Sequence, residues 1–416
     1  MKEYEKRIKY TGIKPSLVAD DSSYLEECYG LIPTKDGLRA YSPIQLFEGS
    51  QYFKAEDCYI VLRNLACLLY SSAGTLLEIL PYSTEERLSF VDYQDYRLLG
   101  NGSFFATIQD NKFNEYRKAT IPLASCYADF NGQLFAGGIL SDWHGCGSNS
   151  VTWAAVRTDN FEAFPEAGWI HLTNNNILWL KQIGTRMMVY GSSYISSLVP
   201  FETSFGEKPV FSFGLANPYA VDGDTTVHVF VDTLGCVWRY SHNGEYVKLD
   251  YSHLFKSFVS EVRVIYRSQF DDFYITLPSL KRSYILTTEG LGEANQVVLG
   301  CSGLTGVGLQ SVADKFKILT TRFMFNQTSK NTLREIELQG EYQEATCQVV
   351  AHYIKYKTNL RTIPLTHSHT AVPLATANGF QVLFEGTLFP DIQIDSVLYR
   401  YFLSDRHHIR GASDVV

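Results

Sequence analysis

The chain has 416 residues, of which 14% are aromatic, including 27 Tyr and 26 Phe, while only 19% are charged. Sequences rich in aromatic residues and poor in charge favour pleated, half-buried strands, so we expect an all-β protein, divided into domains. The net charge of −8 argues against a protein that grips nucleic acid by its phosphates, because such binding needs clusters of Lys and Arg.

The eight cysteines are dispersed, with no C-x-x-C pair. In a chain of this length they are expected to be reduced and buried, which favours assembly in the cytoplasm. Residues 1–10 are charged and lack the apolar segment of a signal peptide, and the longest apolar run, Leu65 to Tyr70, is too short to span a bilayer. The sequence therefore predicts no membrane anchor.

Residues 1–50 are predicted to form an extended N-terminal arm. Gly- and Pro-containing turns alternate there with short apolar segments, and Pro33 and Pro43 prevent a long helix. Arms of this kind are held in place by strand addition or by subunit contacts.

From Asp57 to Ala294 one module recurs, made of an alternating strand, a tight turn, a return strand and a looser connection. It is most complete from Cys126 to Trp153, where Asn131-Gly132 provides the pair of positive φ angles that a type I′ hairpin needs. The spacing, roughly 40 residues, is typical of four-stranded propeller blades. We therefore predict a six-bladed β-propeller with irregular blade spacing at 51–300. The return strands are centred near Leu68, Phe104, Leu134, Met188, Cys236 and Tyr274.

Residues 295–330 are rich in Gly, Ser and Thr and are predicted to form a domain boundary. Longer alternating strands follow, for example at 332–340 and 348–356, which indicates a β-sandwich domain at 320–412. The domain is predicted to end in a basic tail at Asp405 to Gly411.

Two small groups of residues were considered as metal ligands. Asp142, His144 and Cys146 alternate in a Gly- and Ser-rich loop at 141–150, but no second ligand pair accompanies them, so an exposed contact loop is predicted instead. His367 and His369 alternate on one strand, and two histidines alone make a poor site. We predict no metal site, no cofactor and no catalytic residues.

Two acidic motifs have competing interpretations. Val221 to Asp224 resembles a calcium-binding turn but lacks the spaced carboxylates of an EF-hand loop, so a plain turn is predicted. Asp232 to Trp238 has the D-x-x-G-x-x-W pattern of the hairpins in sialidase-type propellers. That pattern keeps a glycan-cleaving enzyme open as an alternative, whereas the structural interpretation is that Trp238 packs between blades.

Several segments in a fixed order resemble a family of bacteriophage tail proteins, the propeller-bearing nozzle or hub proteins of short-tailed phages, also described as DNA-stabilisation or head-completion proteins. The similar segments are TGIKPSLVADD, NGQLFAGG, NSVTWAAV, ILWLKQIGTRMMVYGSSYISSLVP, GDTTVHVFVDTLGCVW, VIYRSQFDDFYITL and IDSVLYRYFLSDRHHIRG. The resemblance covers nearly the whole chain, although the receptor-tip or platform insertions seen in such families are not evident.

The resemblance implies a non-enzymatic structural protein of the virion tail, assembled in the host cytoplasm. It implies a homo-oligomeric ring, expected to be a hexamer, below the portal and adaptor proteins. This head-tail connector would extend the DNA channel, retain packaged DNA and conduct it during ejection, without sequence-specific binding. Two alternatives stay open: a tail propeller that binds or cleaves glycans, and a cytoplasmic propeller scaffold unrelated to a virus.

Overall fold

The computed structural model describes residues 3–16, 22–82, 86–114, 120–202, 204–310, 314–325, 331–353, 357–365 and 375–403. These residues form strands almost throughout, with one short helix, α1 (Ser252–Phe255), followed by a 3-10 turn at Lys256–Phe258. The prediction of an all-β protein is confirmed.

In chain order the strands are β1 (Glu3–Ile8), β2 (Leu25–Tyr29), β3 (Leu31–Thr34), β4 (Gly37–Ala40), β5 (Gln45–Phe47), β6 (Gln51–Lys54), β7 (Cys58–Arg63), β8 (Ala66–Ser71), β9 (Leu76–Pro81), β10 (Ser89–Tyr93), β11 (Tyr96–Gly100), β12 (Phe105–Gln109), β13 (Lys112–Asn114), β14 (Ala124–Phe130), β15 (Gln133–Ile139), β16 (Ser150–Trp153), β17 (Gly168–His171), β18 (Ile177–Ile183), β19 (Arg186–Gly191), β20 (Ile195–Phe201), β21 (Ser204–Phe211), β22 (Val221–Gly223), β23 (Val227–Val231), β24 (Val237–Ser241), β25 (Tyr246–Lys248), β26 (Arg263–Arg267), β27 (Asp272–Leu277), β28 (Arg282–Leu286), β29 (Leu291–Ala294), β30 (Val297–Ser302), β31 (Thr305–Leu309), β32 (Lys315–Thr320), β33 (Asn331–Glu341), β34 (Ala345–His352), β35 (Lys357–Leu365), β36 (Ala375–Ala377), β37 (Gly379–Thr387) and β38 (Gln393–Leu403).

The chain divides into two compact units. Unit 1 contains residues 1–43, 282–296 and 311–416, and unit 2 contains residues 44–281 and 297–310. This division differs from the predicted boundaries at 50, 300 and 320, because the N-terminal segment and residues 282–296 belong with the C-terminal strands.

Unit 2 is a β-propeller. It contains five four-stranded sheets, each built from four consecutive strands: β6 to β9, β10 to β13, β14 to β17, β18 to β21 and β22 to β25. The hairpin β26–β27 and the three-stranded sheet β30-β31-β5 complete it. First strands of neighbouring sheets contact one another, as β10 contacts β14, β14 contacts β18, β26 contacts β30 and β30 contacts β6.

The predicted return strands fall in six different sheets or hairpins of unit 2, and the Asn131-Gly132 hairpin is confirmed. Asn131 has φ 53° and Gly132 has φ 78°, and they join β14 to β15 with Phe130 opposite Gln133. The predicted boundary at 295–330 is wrong in part, because 297–310 forms β30 and β31 of the propeller. The six-blade count stays a prediction.

Unit 1 has two sheets. In one, the strand order is β3-β4-β38-β33-β36, and β1 also pairs with β38. The other contains β28, β29, β2, β32, β37, β34 and β35 in that order. Aromatic side chains connect them: the ring of Phe323 contacts those of Phe380 and Tyr399, and the buried hydroxyl groups of Tyr10 and Tyr399 lie 2.6 Å apart.

The predicted extended arm at 1–50 consists of short strands that are added to sheets formed by later parts of the chain. Strands β1 and β4 pair with β38, β2 pairs with β32, and β3 pairs with β4, so these four strands lie within the sheets of unit 1. Strand β5 pairs with β31 and lies within unit 2. The basic tail at 405–411 lies outside the described residues, and the sandwich assignment stays a prediction.

Replacing Gly132 by Val is expected to lower the free energy of unfolding by about 1 kcal/mol or more, because a β-branched residue resists positive φ. A Cβ at Gly132 would meet no atom within 4 Å, so the cost comes from the backbone alone. Gly206→Val is the matched control, since Gly206 also has open space but lies in β21 without positive φ. Chemical denaturation measures both, and equal stabilities of the two variants would contradict the expectation.

Candidate functional site

A cavity of about 280 Å³ lies at the centre of unit 2. Residues from the first strands β6, β10, β18, β22, β26 and β30 line it, and these strands come from six separate parts of the propeller. The centre of a propeller is where the first strands converge, so side chains far apart in sequence meet there.

Positively charged side chains dominate the lining of this cavity. Lys54, Arg87, Lys181 and Arg263 line it together with one carboxylate among the described lining residues, that of Asp222. This local excess of positive charge contrasts with the net charge of −8 for the whole chain.

Arg87 is held by backbone carbonyls and by an aromatic ring. Its Nη1 donates to the carbonyl oxygens of Pro218 at 2.6 Å and Val221 at 3.0 Å. Its guanidinium carbon lies 3.7 Å from the centroid of the Trp179 ring, a cation–π contact. Burial lowers the pKa of Arg87, the charge of Asp222 opposes this effect, and the net direction is downward.

Arg263 approaches the same region from β26. Its Nη1 donates to the carbonyl oxygen of Ser50 at 2.7 Å, and its guanidinium carbon lies 4.2 Å from the centroid of the Tyr219 ring. The guanidinium carbon of Arg87 lies 5.8 Å from that same centroid, so Tyr219 contacts both cations. The like charge of Arg263 contributes to lowering the pKa of Arg87, after the larger effect of burial.

Asp222 is the anionic partner within the cavity. Lys181 Nζ donates to its Oδ1 at 2.8 Å, and the backbone N–H of Tyr266 donates to its Oδ2 at 2.9 Å. Burial raises the pKa of Asp222, but the charges of Lys181 and Arg87 outweigh burial, so the pKa lies below its usual range. Asp222 is therefore ionised at neutral pH and neutralises one of the cations.

His228 lies beside this ion pair, fully buried on β23. Its Nε2 lies 3.0 Å from the carbonyl oxygen of Gln182, which can only accept, so Nε2 carries the proton. Its Nδ1 then accepts from the Tyr190 hydroxyl at 2.7 Å. Burial, with the charge of Lys181 adding to it, lowers the pKa of His228 to about 3, so the ring is neutral.

The cavity offers no activated thiol among its described lining residues. Cys301 lines it, but burial raises the pKa of its thiol to about 12, so the thiolate that a nucleophile needs is scarce at neutral pH. Tyr52 also lines the cavity, and its hydroxyl oxygen lies 2.8 Å from the hydroxyl oxygen of Thr305. Fixed cations beside aromatic walls can hold an anionic group.

The structure does not bring the three residues of the 141–150 loop together. Cys146 is buried in the core, whereas Asp142 and His144 are exposed. The imidazole of His144 stacks on the indole of Trp169 with ring centroids 5.3 Å apart. Trp143 is also buried, so the loop is anchored by two core side chains rather than exposed throughout.

Each acidic motif contains an aspartate that closes a turn. The turn predicted at Val221 to Asp224 is displaced, because Val221 to Gly223 form strand β22 and the turn begins at Asp224. Asp224 Oδ1 accepts from the backbone N–H groups of Thr226 and Val227. Asp232 Oδ1 accepts from the N–H groups of Leu234 and Cys236, and its Oδ2 accepts from the indole N–H of Trp238 at 2.8 Å. Asp232 therefore links the turn to Trp238.

Trp238 packs among aromatic rings from two neighbouring sheets of unit 2. Its ring contacts those of Phe211, Phe213, Phe230 and Tyr246, which agrees with the structural interpretation of this tryptophan. His367 and His369 lie outside the described residues.

The cavity cations could not be predicted from the sequence. Arg87, Lys181 and Arg263 belong to no local motif, and their neighbours in sequence resemble ordinary strand or loop residues. One signal was present, namely a basic residue near the first strand of several propeller modules. Using it requires knowing which strand of each module is innermost.

Among the described residues, no group of three or more His, Cys, Asp and Glu side chains is placed to bind a metal ion. Within the same residues, the structure contains no helix with the length and hydropathy needed to span a bilayer.

No family model and no curated protein matches the sequence. Among solved structures, the β-propeller domain of Myceliophteria thermophila Cps50 (Swd1) is 8% identical with a TM-score of 0.42, over 66% of this chain and 93% of that one. BamB from Moraxella catarrhalis is 10% identical with a TM-score of 0.39, over 70% and 92%. PorZ of the type-IX secretion system of Porphyromonas gingivalis is 9% identical with a TM-score of 0.37, over 67% and 36%. Similarities this low say nothing about function.

The neutral His228 is expected to make stability depend on pH. Below about pH 6.5 the histidine of the unfolded chain binds a proton, whereas folded His228, with its pKa of about 3, does not. The free energy of unfolding therefore falls as the pH drops from 6.5 toward 3. The contribution approaches about 1.4 kcal/mol per pH unit for one proton. Denaturation of wild type and His228→Gln between pH 8 and 4 measures it.

The His228→Gln variant is expected to be less stable at pH 8 but to show a shallower loss of stability on acidification. Lys181, Asp222 and Asp224 also influence the pKa of His228, and all three are kept in this comparison. Parallel pH profiles for the two proteins would show that His228 is not the responsible group.

Proposed function

We propose that this chain is a structural subunit of a phage tail, acting as the nozzle or hub ring below the portal and adaptor proteins. The observation that carries the proposal is the ordered resemblance of segments along nearly the whole chain to that family, which implies a propeller-bearing protein. The β-propeller of unit 2 supports it, because the resemblance required that fold and the sheets of unit 2 form it.

The surface of unit 2 is compatible with assembly. Large aromatic side chains are exposed on it: Phe201 at 68%, Tyr246 at 60% and Phe164 at 50%. Exposed aromatic residues provide contact area at a small loss of side-chain entropy and are enriched in protein interfaces. Identical subunits that meet through two different surfaces close into a cyclic ring, and we propose that this chain does so.

The charge of the chain supports a channel through which DNA slides. With 44 Asp and Glu against 36 Lys and Arg, the protein as a whole repels phosphate, so a duplex would move past it without strong adhesion. Retention of DNA would then come from a narrow constriction in the ring, which a movement of loops or subunits would open.

Binding of duplex DNA by the purified full-length chain is expected to be weak, with a dissociation constant above about 1 μM at moderate salt and a shallow dependence on salt concentration. The reason is that each phosphate contact made by Lys or Arg releases counterions and steepens that dependence. Fluorescence anisotropy across a salt series measures it. A submicromolar dissociation constant that depends steeply on salt concentration would contradict a channel through which DNA slides without strong adhesion.

Cryo-electron microscopy of virions that carry this protein tests the location. Density for the propeller is expected in a ring around the channel axis, below the portal. Density away from that axis, or absence of the chain from the virion, would refute the proposed function whatever the DNA affinity.

A further inference from the structure

We propose that the central cavity of unit 2 is a binding site for the oxyanion group of a small organic acid or phosphate ester, recognised by Arg87, Arg263 and Lys181. The inference goes beyond the proposed tail function and does not depend on it. It rests on three observations: the sign of the cavity's charge, the fixed positions of its arginines and the size of the space.

The cavity holds several positive charges in a small space enclosed by the protein, where their mutual repulsion costs free energy. Lys54, Arg87, Lys181 and Arg263 line it, and Asp222 is the acidic side chain among its described lining residues. Like charges enclosed between low-dielectric walls repel each other more strongly than they would in water. An anion that enters between them removes this repulsion, so the folded state with the anion bound is favoured.

The two arginines are positioned before any ligand arrives. Arg87 is clamped by the carbonyl oxygens of Pro218 and Val221 through Nη1 alone, and its Nε and Nη2 donors have no acceptor among the described residues. Arg263 is fixed by the carbonyl oxygen of Ser50 and by the ring of Tyr219. Fixed side chains lose little conformational freedom on binding, which favours affinity.

The donors match the geometry of an oxyanion. A guanidinium group offers a planar, forked set of N–H donors that binds carboxylate or phosphate through two parallel hydrogen bonds. Arg87 uses one nitrogen for the protein, so its remaining donors suit this task. Lys181 contributes a point charge whose present partner is Asp222, at 2.8 Å.

The size of the cavity limits the ligand. At about 280 Å³ it lies just below the range of roughly 300–1,000 Å³ that is usual for ligand pockets, so it accepts a monosaccharide or a smaller molecule rather than a polymer segment. The aromatic residues Phe53, Phe90 and Trp179 also line it and can contact an apolar or sugar portion of such a molecule.

Isothermal titration calorimetry of the full-length chain at low salt tests the site with four probes: inorganic phosphate, glucuronate, glucose 1-phosphate and, as the neutral control, glucose. Saturable binding of at least one anion with one site per chain is expected, without binding of glucose. Glucuronate alone would identify a carboxylate site, and the two phosphates alone a phosphate site. Failure of all three anions to bind at 10 mM, or equal binding of glucose, would overturn the inference.

Three variants separate the cavity from the overall charge of the chain. Arg263→Gln is expected to weaken binding tenfold or more, whereas Asp222→Asn is expected to tighten it severalfold, because it removes the opposing carboxylate and frees Lys181. Arg239→Gln, on β24 and outside the cavity lining, removes the same charge and is expected to leave affinity unchanged. Thermal unfolding checks that each variant is folded.

Equal weakening by Arg263→Gln and Arg239→Gln would overturn the proposed site, since net charge would then explain the binding. If Arg263→Gln does not fold, the wild-type titrations and the Asp222→Asn variant still test the proposed site. Weaker anion binding by Asp222→Asn would contradict the proposed role of that carboxylate. Failure of the anion-binding experiments would leave the proposed tail function intact. Absence of the chain from virions would leave the proposed anion site intact.

Discussion

The propeller depends on the pairing of two short segments from opposite ends of unit 2. β5 pairs in parallel with β31, which places Gln45 opposite Thr305 and Phe47 opposite Val307. Without this pairing β31 would present an open edge. Side chains reinforce the closure, because Val307 is fully buried in a cluster with Tyr52 and Val61 from the first sheet, and the ring of Phe47 stacks on that of Tyr59.

The chemistry of the central cavity follows from that closure. The residues that line the cavity come from strands on both sides of the sheet in which β5 pairs with β31, with Tyr52 on β6 and Cys301 on β30. The Tyr52 hydroxyl reaches Thr305 on β31, so the wall of the cavity and the closing sheet share a hydrogen bond. Charged groups far apart in the sequence, such as Arg87 and Asp222, meet in this cavity because the strands beside them converge there.

Features that depend on neighbouring residues were predictable from the sequence. The hairpin at Asn131-Gly132 and the turn at Asp232 were identified, because a few consecutive residues determine their backbone angles and hydrogen bonds. The sheet β30-β31-β5 and the partner strand of β1 were missed, because pairing between segments hundreds of residues apart leaves no local signal. The cavity was missed for the same reason, since Arg87, Lys181 and Arg263 meet only in the folded propeller.

The parallel pairing of β5 with β31 also constrains how the protein is made. Residues 45–47 are synthesised about 260 residues before their partner at 305–307, which is roughly 15–50 s at the usual rate of synthesis. During that interval the first sheet is complete while its neighbour across the junction does not exist, and Tyr52 and Val61 lack the side chain of Val307. Until residues 305–307 are synthesised, the nascent chain therefore exposes an unpaired strand and an apolar patch, and exposure of this kind favours aggregation.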